Sequence, residues 1–153
     1  MSTPIIKFKR LQEGAKLPIW ATTGSIGADL FAHIISENGR QTSTILPPRN
    51  TRAISTGLAI EPPELIECGW TPMVLSRSGL ALKSIFVANA PGLIDSDYRG
   101  ELKVLLYNGG LETEYISHGM RIAQLVLVRT SWFSMLPVDE LSTTERGLGS
   151  TGP

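Results

Sequence analysis

The sequence contains little cysteine and little histidine. Among its 153 residues there is one cysteine, Cys68, and there are two histidines, His33 and His118. A single cysteine excludes an internal disulfide and a cysteine cluster for zinc, which is typical of a reducing compartment. The two histidines are far apart in the sequence and lack the spacing of metal ligands. We therefore predict surface or loop positions for both and no histidine-based metal site.

Long apolar runs and an excess of charge of one sign are also absent. No apolar run exceeds four residues, whereas a membrane-spanning helix needs roughly 20. The first twenty residues lack the apolar stretch of a secretory signal. Lysine plus arginine and aspartate plus glutamate both number 14, without blocks of like charge, so nothing indicates a general nucleic-acid or membrane-surface binder. We predict an intracellular, cytoplasmic protein, with the nucleus left open, that has no membrane partner and no direct nucleic-acid partner.

The sequence does contain a regular alternation of turn residues and short β-prone runs. Hydrophobic residues make up 42% of the chain, enough for one globular domain with a core, and 15 glycines and 10 prolines are spread along it. Such frequent glycine and proline disfavours long helices, and the runs between them suit strands. The predicted strands are residues 5–8, 29–35, 52–55, 57–60, 70–75, 102–107, 121–129 and 132–136.

This pattern predicts an all-β domain over residues 1–141, built as a sandwich, jelly roll or barrel. Residues 102–107 and 125–128 lack clean polar alternation, which predicts strands covered on both faces. One short helix is predicted at residues 78–83, with Ser78 as its cap, and the three tryptophans are assigned to the core. Residues 142–153 are rich in serine, threonine and glycine and have little to bury, which predicts a mobile arm.

Residues 89–101 carry more reactive and polar groups than a turn requires. They include Asn89, Asp95, Asp97 and Tyr98. In a strand-like stretch that ends at Asp95, apolar neighbours would shield a carboxylate able to take a proton from water. The alternative is a charged hairpin tip, because aspartate and glycine also dominate ordinary turns.

Three further clusters point to an anionic ligand. Residues 75–81 place an arginine before a serine, a glycine and a predicted helix start, where a guanidinium and free backbone N–H groups can converge on a triphosphate. Residues 119–124 add one arginine and one amide. Residues 146–152 combine an arginine with glycines and hydroxyls, without the P-loop pattern. Each cluster has a structural alternative: a capped corner, a strand-edge charge and a disordered tail.

Taken in order, these clusters resemble the five motifs of the trimeric dUTPase family, whose members hydrolyse dUTP to dUMP and pyrophosphate. The third segment is long enough to be specific by itself, and the five together span residues 18–152 in the family's order. The resembling segments are GSIGADL at 24–30, RSGLA at 77–81, GLIDSDYRGE at 92–101, RIAQ at 121–124 and RGLGSTG at 146–152.

The resemblance implies a distorted jelly roll of the β-clip type in a homotrimer with shared active sites, each chain sending its C-terminal arm to a neighbour. Asp95 is implied to be the catalytic base that deprotonates the water attacking the α-phosphorus. Tyr98 is implied to exclude a 2′-hydroxyl, and Asn89 with the hairpin backbone to read uracil. The residues implied to bind uracil and deoxyribose are Asn89, Gly92, Leu93, Ile94, Tyr98 and Leu148.

The resemblance also implies a phosphate grip and a cofactor. Mg²⁺ is expected on the triphosphate oxygens and on water, with Asp29 acting on its outer shell through water. The activity would limit uracil incorporation into DNA and supply dUMP for thymidylate synthesis. The residues implied to hold the phosphates are Arg77, Ser78, Gly79, Gln124, Arg146, Ser150 and Thr151.

The fifth segment departs from the family pattern. It is several residues short and lacks the phenylalanine that covers the base, so Leu148 is the only candidate substitute, with apolar area but no stacking ring. Two alternatives stay open at this point. One is a dCTP deaminase of the same superfamily, and the other is a dUTP-responsive regulatory binding protein with weak turnover.

Overall fold

A computed structural model describes residues 4–61, 69–131 and 133–140. These residues form twelve strands and one short helix, which confirms the predicted all-β class. None of these residues belongs to a helix with the length and apolarity needed to span a bilayer. The elements are β1 (Lys7–Arg10), β2 (Ile19–Trp20), β3 (Ala28–Phe31), β4 (Ser43–Leu46), β5 (Thr51–Ser55), β6 (Leu58–Glu61), β7 (Trp70–Leu75), α1 (Ser78–Ala81), β8 (Ile85–Val87), β9 (Gly92–Leu93), β10 (Lys103–Asn108), β11 (Glu114–Ser117) and β12 (Arg121–Arg129).

The strands form two sheets and two ribbons in which all the described pairings are antiparallel. The largest sheet has the order β2-β3-β12-β7-β9, and a smaller one the order β5-β10-β8. The ribbons pair β1 with β6 and β4 with β11. In the large sheet, Gln124 of β12 lies opposite Asp29 of β3 and Leu75 of β7. Strand pairing therefore brings together three segments that are distant in the sequence.

The core lies between these sheets, and β10 runs through its centre. Val104, Leu106 and Asn108 are buried on one face of β10, whereas on the other face Lys103 is exposed and Leu105 and Tyr107 are half-buried. The prediction that both faces of this strand are covered is therefore wrong within one chain, because its second face is only half-buried.

Each fully buried Leu or Ile in the core contributes about 1.5–3 kcal/mol relative to an exposed one. The large side chains at 0% exposure are Leu30, Leu46, Leu58, Leu106, Ile116 and Ile122.

Asn108 is a buried polar group with a full set of partners. Its Nδ2 donates to the carbonyl oxygens of Leu46 at 2.9 Å and Glu112 at 2.8 Å, and its Oδ1 accepts from the N–H of Gly110 at 2.9 Å. These bonds tie β10 to the end of β4 and to the turn before β11. A buried amide satisfied in this way stabilises one arrangement of the turn, because any other would leave polar atoms unpaired.

Several sequence predictions differ from the structure in ways that have physical causes. The strands β2, β4, β8, β9 and β11 were not predicted, because they are two to four residues long and depend on partners distant in sequence. Residues 133–136 form no strand. Helix α1 ends at Ala81 and its cap is Arg77, without a side-chain bond from Ser78. Trp20 lies on the edge strand β2 and is 63% exposed, so its assignment to the core is wrong.

The two histidines meet in space, which the sequence did not suggest. His33 is 4% exposed, so the surface alternative is wrong for it, although it lies in a loop after β3 as the other alternative predicted. Its ring contacts that of His118 at a centroid distance of 5.0 Å. His118 lies in the turn before β12, and its Nδ1 accepts from the N–H of Ile34 at 3.2 Å. Among the residues with a described structure, none bonds to the Nε2 of His33. Burial and the neighbouring His118 lower the pKa of His33, against a weaker opposing effect of Glu101.

The free energy of unfolding should therefore decrease in mild acid. Because the pKa of His33 in the folded chain lies below its usual 6.5, the unfolded chain takes up the proton first. The contribution of neutral His33 to the free energy of unfolding is complete above the unfolded pKa of 6.5. It is lost as the pH falls from there through the lower pKa of the folded chain. We expect the urea midpoint to drop between about pH 7.5 and pH 5.5, and the drop to be smaller in His33→Gln. Identical pH profiles for the two proteins would contradict this assignment.

Candidate active site

A cavity of about 270 Å³ opens beside the segment between β8 and β10. Its walls combine polar groups of that segment with apolar side chains of β7, β8 and β10. Such a lining, mostly apolar with a few convergent polar groups, is typical of a small-molecule site. Six residues that the sequence assigned to catalysis or to the base and sugar border it: Asn89, Gly92, Leu93, Ile94, Asp95 and Tyr98.

The segment is held in place by the edge of the large sheet. Gly92 and Leu93 pair with Val74 and Met73 of β7, and the N–H of Ile94 then donates to the carbonyl oxygen of Pro72 at 3.1 Å. Asn89 packs closely against Gly92, since a Cβ at this position would lie 3.2 Å from the Asn89 Nδ2. The pairing therefore fixes the backbone immediately before Asp95.

Asp95 lies between two cavities. It borders the 270 Å³ cavity and a second one of about 540 Å³, which Ser96, Asp97, Thr71 and Thr130 also line. The apolar shield expected around it is not formed by these residues of one chain, because Asp95 is exposed and Leu93 is 59% exposed. The carboxylate is thus open to water and to a ligand that extends from one cavity towards the other.

Tyr98 follows Asp95 by one turn and faces the smaller cavity. Its N–H donates to the carbonyl oxygen of Asp95 at 3.1 Å, and its hydroxyl donates to the carbonyl oxygen of Glu101 at 2.7 Å. The ring lies so close to Gly100 that a Cβ there would be 2.8 Å from the hydroxyl oxygen. The aromatic ring, the base candidate and the amide of Asn89 therefore border one space.

A second polar cluster joins β3, β12 and the start of α1. The carboxylate of Asp29 is buried and accepts from Arg77 Nε at 2.7 Å and from Arg121 Nη1 at 3.2 Å. Arg77 also donates to the carbonyl oxygen of Arg121 at 3.3 Å. A buried carboxylate needs such partners, because an unpaired charge is strongly disfavoured there. The sequence assigned Arg121 only a structural charge, and its ion pair with Asp29 is not evident without the register of β3 and β12.

Gln124 lies next to this cluster on β12. A Cβ at Gly27 would lie 3.1 Å from the Gln124 Cβ, so the glycine gives this side chain its room. Ser78 and Gly79 are exposed at the start of α1, and the buried Leu80 anchors the helix. One end of the large sheet therefore presents the four phosphate candidates that the structure describes: Arg77, Ser78, Gly79 and Gln124.

The second cluster does not border either of the two cavities at Asp95. Among the described residues, those that border the two cavities at Asp95 include none of the phosphate candidates Arg77, Ser78, Gly79 and Gln124. The remaining candidates, Arg146, Leu148, Ser150 and Thr151, lie outside the described residues. Within the ranges that the structure covers, no three histidine, cysteine, aspartate or glutamate side chains converge as a metal site.

Comparison with known proteins gives one consistent family. The family model described as dUTPase matches residues 15–152. A deoxyuridine 5′-triphosphate nucleotidohydrolase of Treponema denticola is 49% identical over 146 residues, which are 95% of this chain and 94% of that protein. Among solved structures, the dUTPase of Staphylococcus bacteriophage 80alpha with dUPNHPP is 25% identical, with a TM-score of 0.79 over 98% of this chain and 99% of the other.

A second solved structure adds a metal to the comparison. It is a mutant dUTPase from phage phi11 of S. aureus, described as revealing the coordination of a structural Mg(II) ion. It is 22% identical, with a TM-score of 0.74, and covers 92% of this chain and 100% of its own. At this identity the likeness shows a common fold.

Proposed function

The chain belongs to the dUTPase family, and on this basis we propose that it hydrolyses dUTP to dUMP and pyrophosphate. The observation that carries the proposal is the position of Asp95, at the rim of a nucleoside-sized cavity that Asn89 and Tyr98 also border. The test is pyrophosphate release from dUTP, with dCTP, dTTP and UTP as controls, with and without Mg²⁺. Selective release from dUTP supports the proposal, and release from all four nucleotides, or from none, rejects it.

In this proposal the smaller cavity holds the base and the deoxyribose. The amide of Asn89 and the backbone of the adjoining segment present donors and acceptors to uracil, whereas cytosine offers the opposite pattern at one edge. A wrong base would leave buried polar groups unpaired, which gives strong discrimination. The apolar walls would exclude the methyl group of thymine. Tyr98 packs against the sugar where a ribonucleotide carries its 2′-hydroxyl.

Asp95 would act as general base on the attacking water. The water oxygen forms a bond to the α-phosphorus, its proton passes to the Asp95 carboxylate, and the bond from the α-phosphorus to the bridging oxygen breaks. Pyrophosphate leaves in line with the attack, so no covalent enzyme intermediate is needed. The exposure of Asp95 towards the larger cavity leaves room for both the water and the phosphate chain.

The residues present fit a magnesium ion that is held mainly by the substrate. Magnesium prefers oxygen ligands and keeps several waters, and it is commonly bound through substrate phosphates rather than a protein cage. When bound, it would offset the charge of the triphosphate. Both oxygens of Asp29 already accept bonds from guanidinium groups, so we propose that Asp29 reaches the ion only through water.

We further propose that the active form is a homotrimer whose sites are shared between chains. The walls of the cavities at Asp95 include none of the arginine cluster, which supports this proposal because a neighbouring chain would then supply the phosphate grip. Two large apolar side chains close to this cluster in sequence are also exposed, Ile26 at 83% and Leu82 at 90%. Such exposure is expected of a surface that another chain covers. Residues 142–153 would complete the site from another subunit, with Arg146, Ser150 and Thr151 on the phosphates and Leu148 over the base.

Complementation between two inactive variants tests the shared site. Asp95→Asn and Arg77→Ala should each abolish most turnover, whereas hybrid trimers made by refolding both chains together should recover part of it. Recovery is expected because some interfaces then combine an intact Asp95 with an intact Arg77. The mass in solution, measured by light scattering, should be three times that of the chain. A trimer without recovery would contradict the sharing, and a monomer with full activity would contradict the trimer.

The comparisons do not favour the two alternatives. The relatives named above are nucleotidohydrolases or dUTPases, so a dCTP deaminase is not favoured. The bacteriophage 80alpha dUTPase is described as controlling the transfer of virulence genes, but it is itself a dUTPase, so a regulatory protein in place of the enzyme is not favoured either. The proposed activity removes dUTP from the nucleotide pool and supplies dUMP for thymidylate synthesis. It places the enzyme with that pool, in the cytoplasm or the nucleus, without membrane or direct nucleic-acid contacts.

A further inference from the structure

Glu101 lies at the end of the segment that carries Asp95 and Tyr98, and it is attached to a different part of the chain. Its Oε1 accepts from the N–H of Gly57 at 2.8 Å and from the hydroxyl of Ser55. Its Oε2 lies 3.7 Å from Lys103 Nζ, but that lysine is 54% exposed, so the ion pair contributes little. The side chain of Glu101 is only 17% exposed. The two bonds from Ser55 and Gly57 therefore account for its placement.

The turn that binds the Glu101 carboxylate is closely packed. Gly57 has a positive φ of 68°, and a Cβ at this position would lie 2.8 Å from the Cβ of Ala15. The next residue along from Glu101 is held by the same turn, because the N–H of Leu102 donates to the carbonyl oxygen of Leu58 at 2.7 Å and its carbonyl accepts from Thr56 Oγ1 at 2.5 Å. The backbone at residues 101–102 is thus fixed to the β5–β6 turn.

The fixed backbone determines where Tyr98 lies. The Tyr98 hydroxyl bonds to the carbonyl oxygen of Glu101, and its ring is pressed onto Gly100. Tyr98 is 43% exposed, so packing covers only part of its side chain. The orientation of the peptide at Glu101 therefore determines where the Tyr98 ring lies at the cavity.

We propose that Glu101 is a positioning residue that sets sugar selectivity by holding the Tyr98 ring at the cavity wall. The inference rests on the proposed function, which gives Tyr98 its contact with the deoxyribose. Without the Glu101 carboxylate, the backbone at residues 101–102 keeps its bonds to Leu58 and Thr56 but loses those from Ser55 and Gly57. The peptide at Glu101 should then tilt and the Tyr98 ring retreat, so that a 2′-hydroxyl is accommodated. Displacements of about 1 Å at a reacting or binding group have large effects on selectivity.

The experiment measures equilibrium binding of dUDP and UDP by calorimetry with Mg²⁺ present, and uses the ratio of the two Kd values as the readout. We expect Glu101→Ala to reduce discrimination by about tenfold. Glu101→Gln keeps an acceptor for Gly57 and should restore most of the discrimination. Glu114→Ala is the matched control and should leave the ratio unchanged, because it removes a carboxylate of β11 that is paired, among the described residues, only with the exposed Lys83.

A double-mutant cycle separates positioning from general loosening. Tyr98→Phe keeps the ring and removes the bond to Glu101, so it should reduce the ratio by itself. Combined with Glu101→Ala it should add nothing further, because both changes release the same contact. Should Glu101→Ala not fold, Glu101→Asp, which keeps the charge but withdraws it from Gly57, takes its place in the cycle.

Equal weakening for both nucleotides, with the ratio unchanged, would overturn the proposal, and so would additive effects in the cycle. A wild-type protein that binds dUDP and UDP equally would overturn it as well. A wild-type protein that discriminates in binding but releases no pyrophosphate from dUTP would refute the proposed function and leave the role of Glu101 supported.

Discussion

Asp95→Asn should abolish most pyrophosphate release from dUTP while leaving nucleotide binding intact. The substitution replaces one carboxylate oxygen by an amide of the same size, so the segment keeps its shape but loses the group that accepts the proton of the attacking water. General base catalysis of this kind contributes about 10²- to 10⁴-fold, and we expect kcat to fall within that range. The KM for dUTP should change little, because Asp95 is exposed at the rim of the base cavity.

Asp97→Asn is the matched control for this prediction. Asp97 lines the larger cavity but not the smaller one, and it carries the same charge two residues further on. Initial rates at saturating dUTP, measured for both variants, should show the large decrease for Asp95→Asn alone. Equal decreases would mean that the charge of the segment matters rather than a base at position 95.

The sequence predicted the fold class and the long strands because their signals are local. Residues 70–75 and 121–129 combine β-branched and apolar side chains over a length that needs no partner to be recognised, and both strands have the predicted bounds. Strand β9 has only two residues, and its identity depends on pairing with Met73 and Val74. No local pattern contains that information, so strands of this kind could not be predicted.

The same distinction applies to the site. Residues 89–98 are close in sequence, so their gathering around one cavity follows from a single segment, and the sequence motifs already grouped them. The cluster of Asp29, Arg77 and Arg121 depends on the register between β3 and β12, which sequence spacing does not encode. The contact of His33 with His118 has the same origin. Polar groups that meet across strands are therefore where sequence reasoning was least informative.

Asp29→Asn tests whether the cross-strand cluster prepares the phosphate grip. The neutral amide would leave the guanidinium groups of Arg77 and Arg121 next to each other without a compensating charge at a site where the carboxylate is buried. Breaking a buried pair costs about 3–5 kcal/mol, and because Arg121 is half-exposed we expect about 2–3 kcal/mol of unfolding free energy to be lost. Arg77 would also lose its fixed orientation, so the KM for dUTP should rise more than kcat falls.

Urea denaturation and steady-state kinetics measure both effects, and Glu114→Gln provides the comparison. That substitution makes the same carboxylate-to-amide change in the pair of Glu114 with Lys83, which is long at 3.7 Å and has a lysine that is 59% exposed. Such surface pairs are worth about 0–1 kcal/mol. If the two variants lost the same free energy of unfolding, the ion pairs of Asp29 would contribute no more to stability than a surface pair. If Asp29→Asn lost stability without a change in KM, the arginines would hold the sheet together but would not be prepared for phosphate.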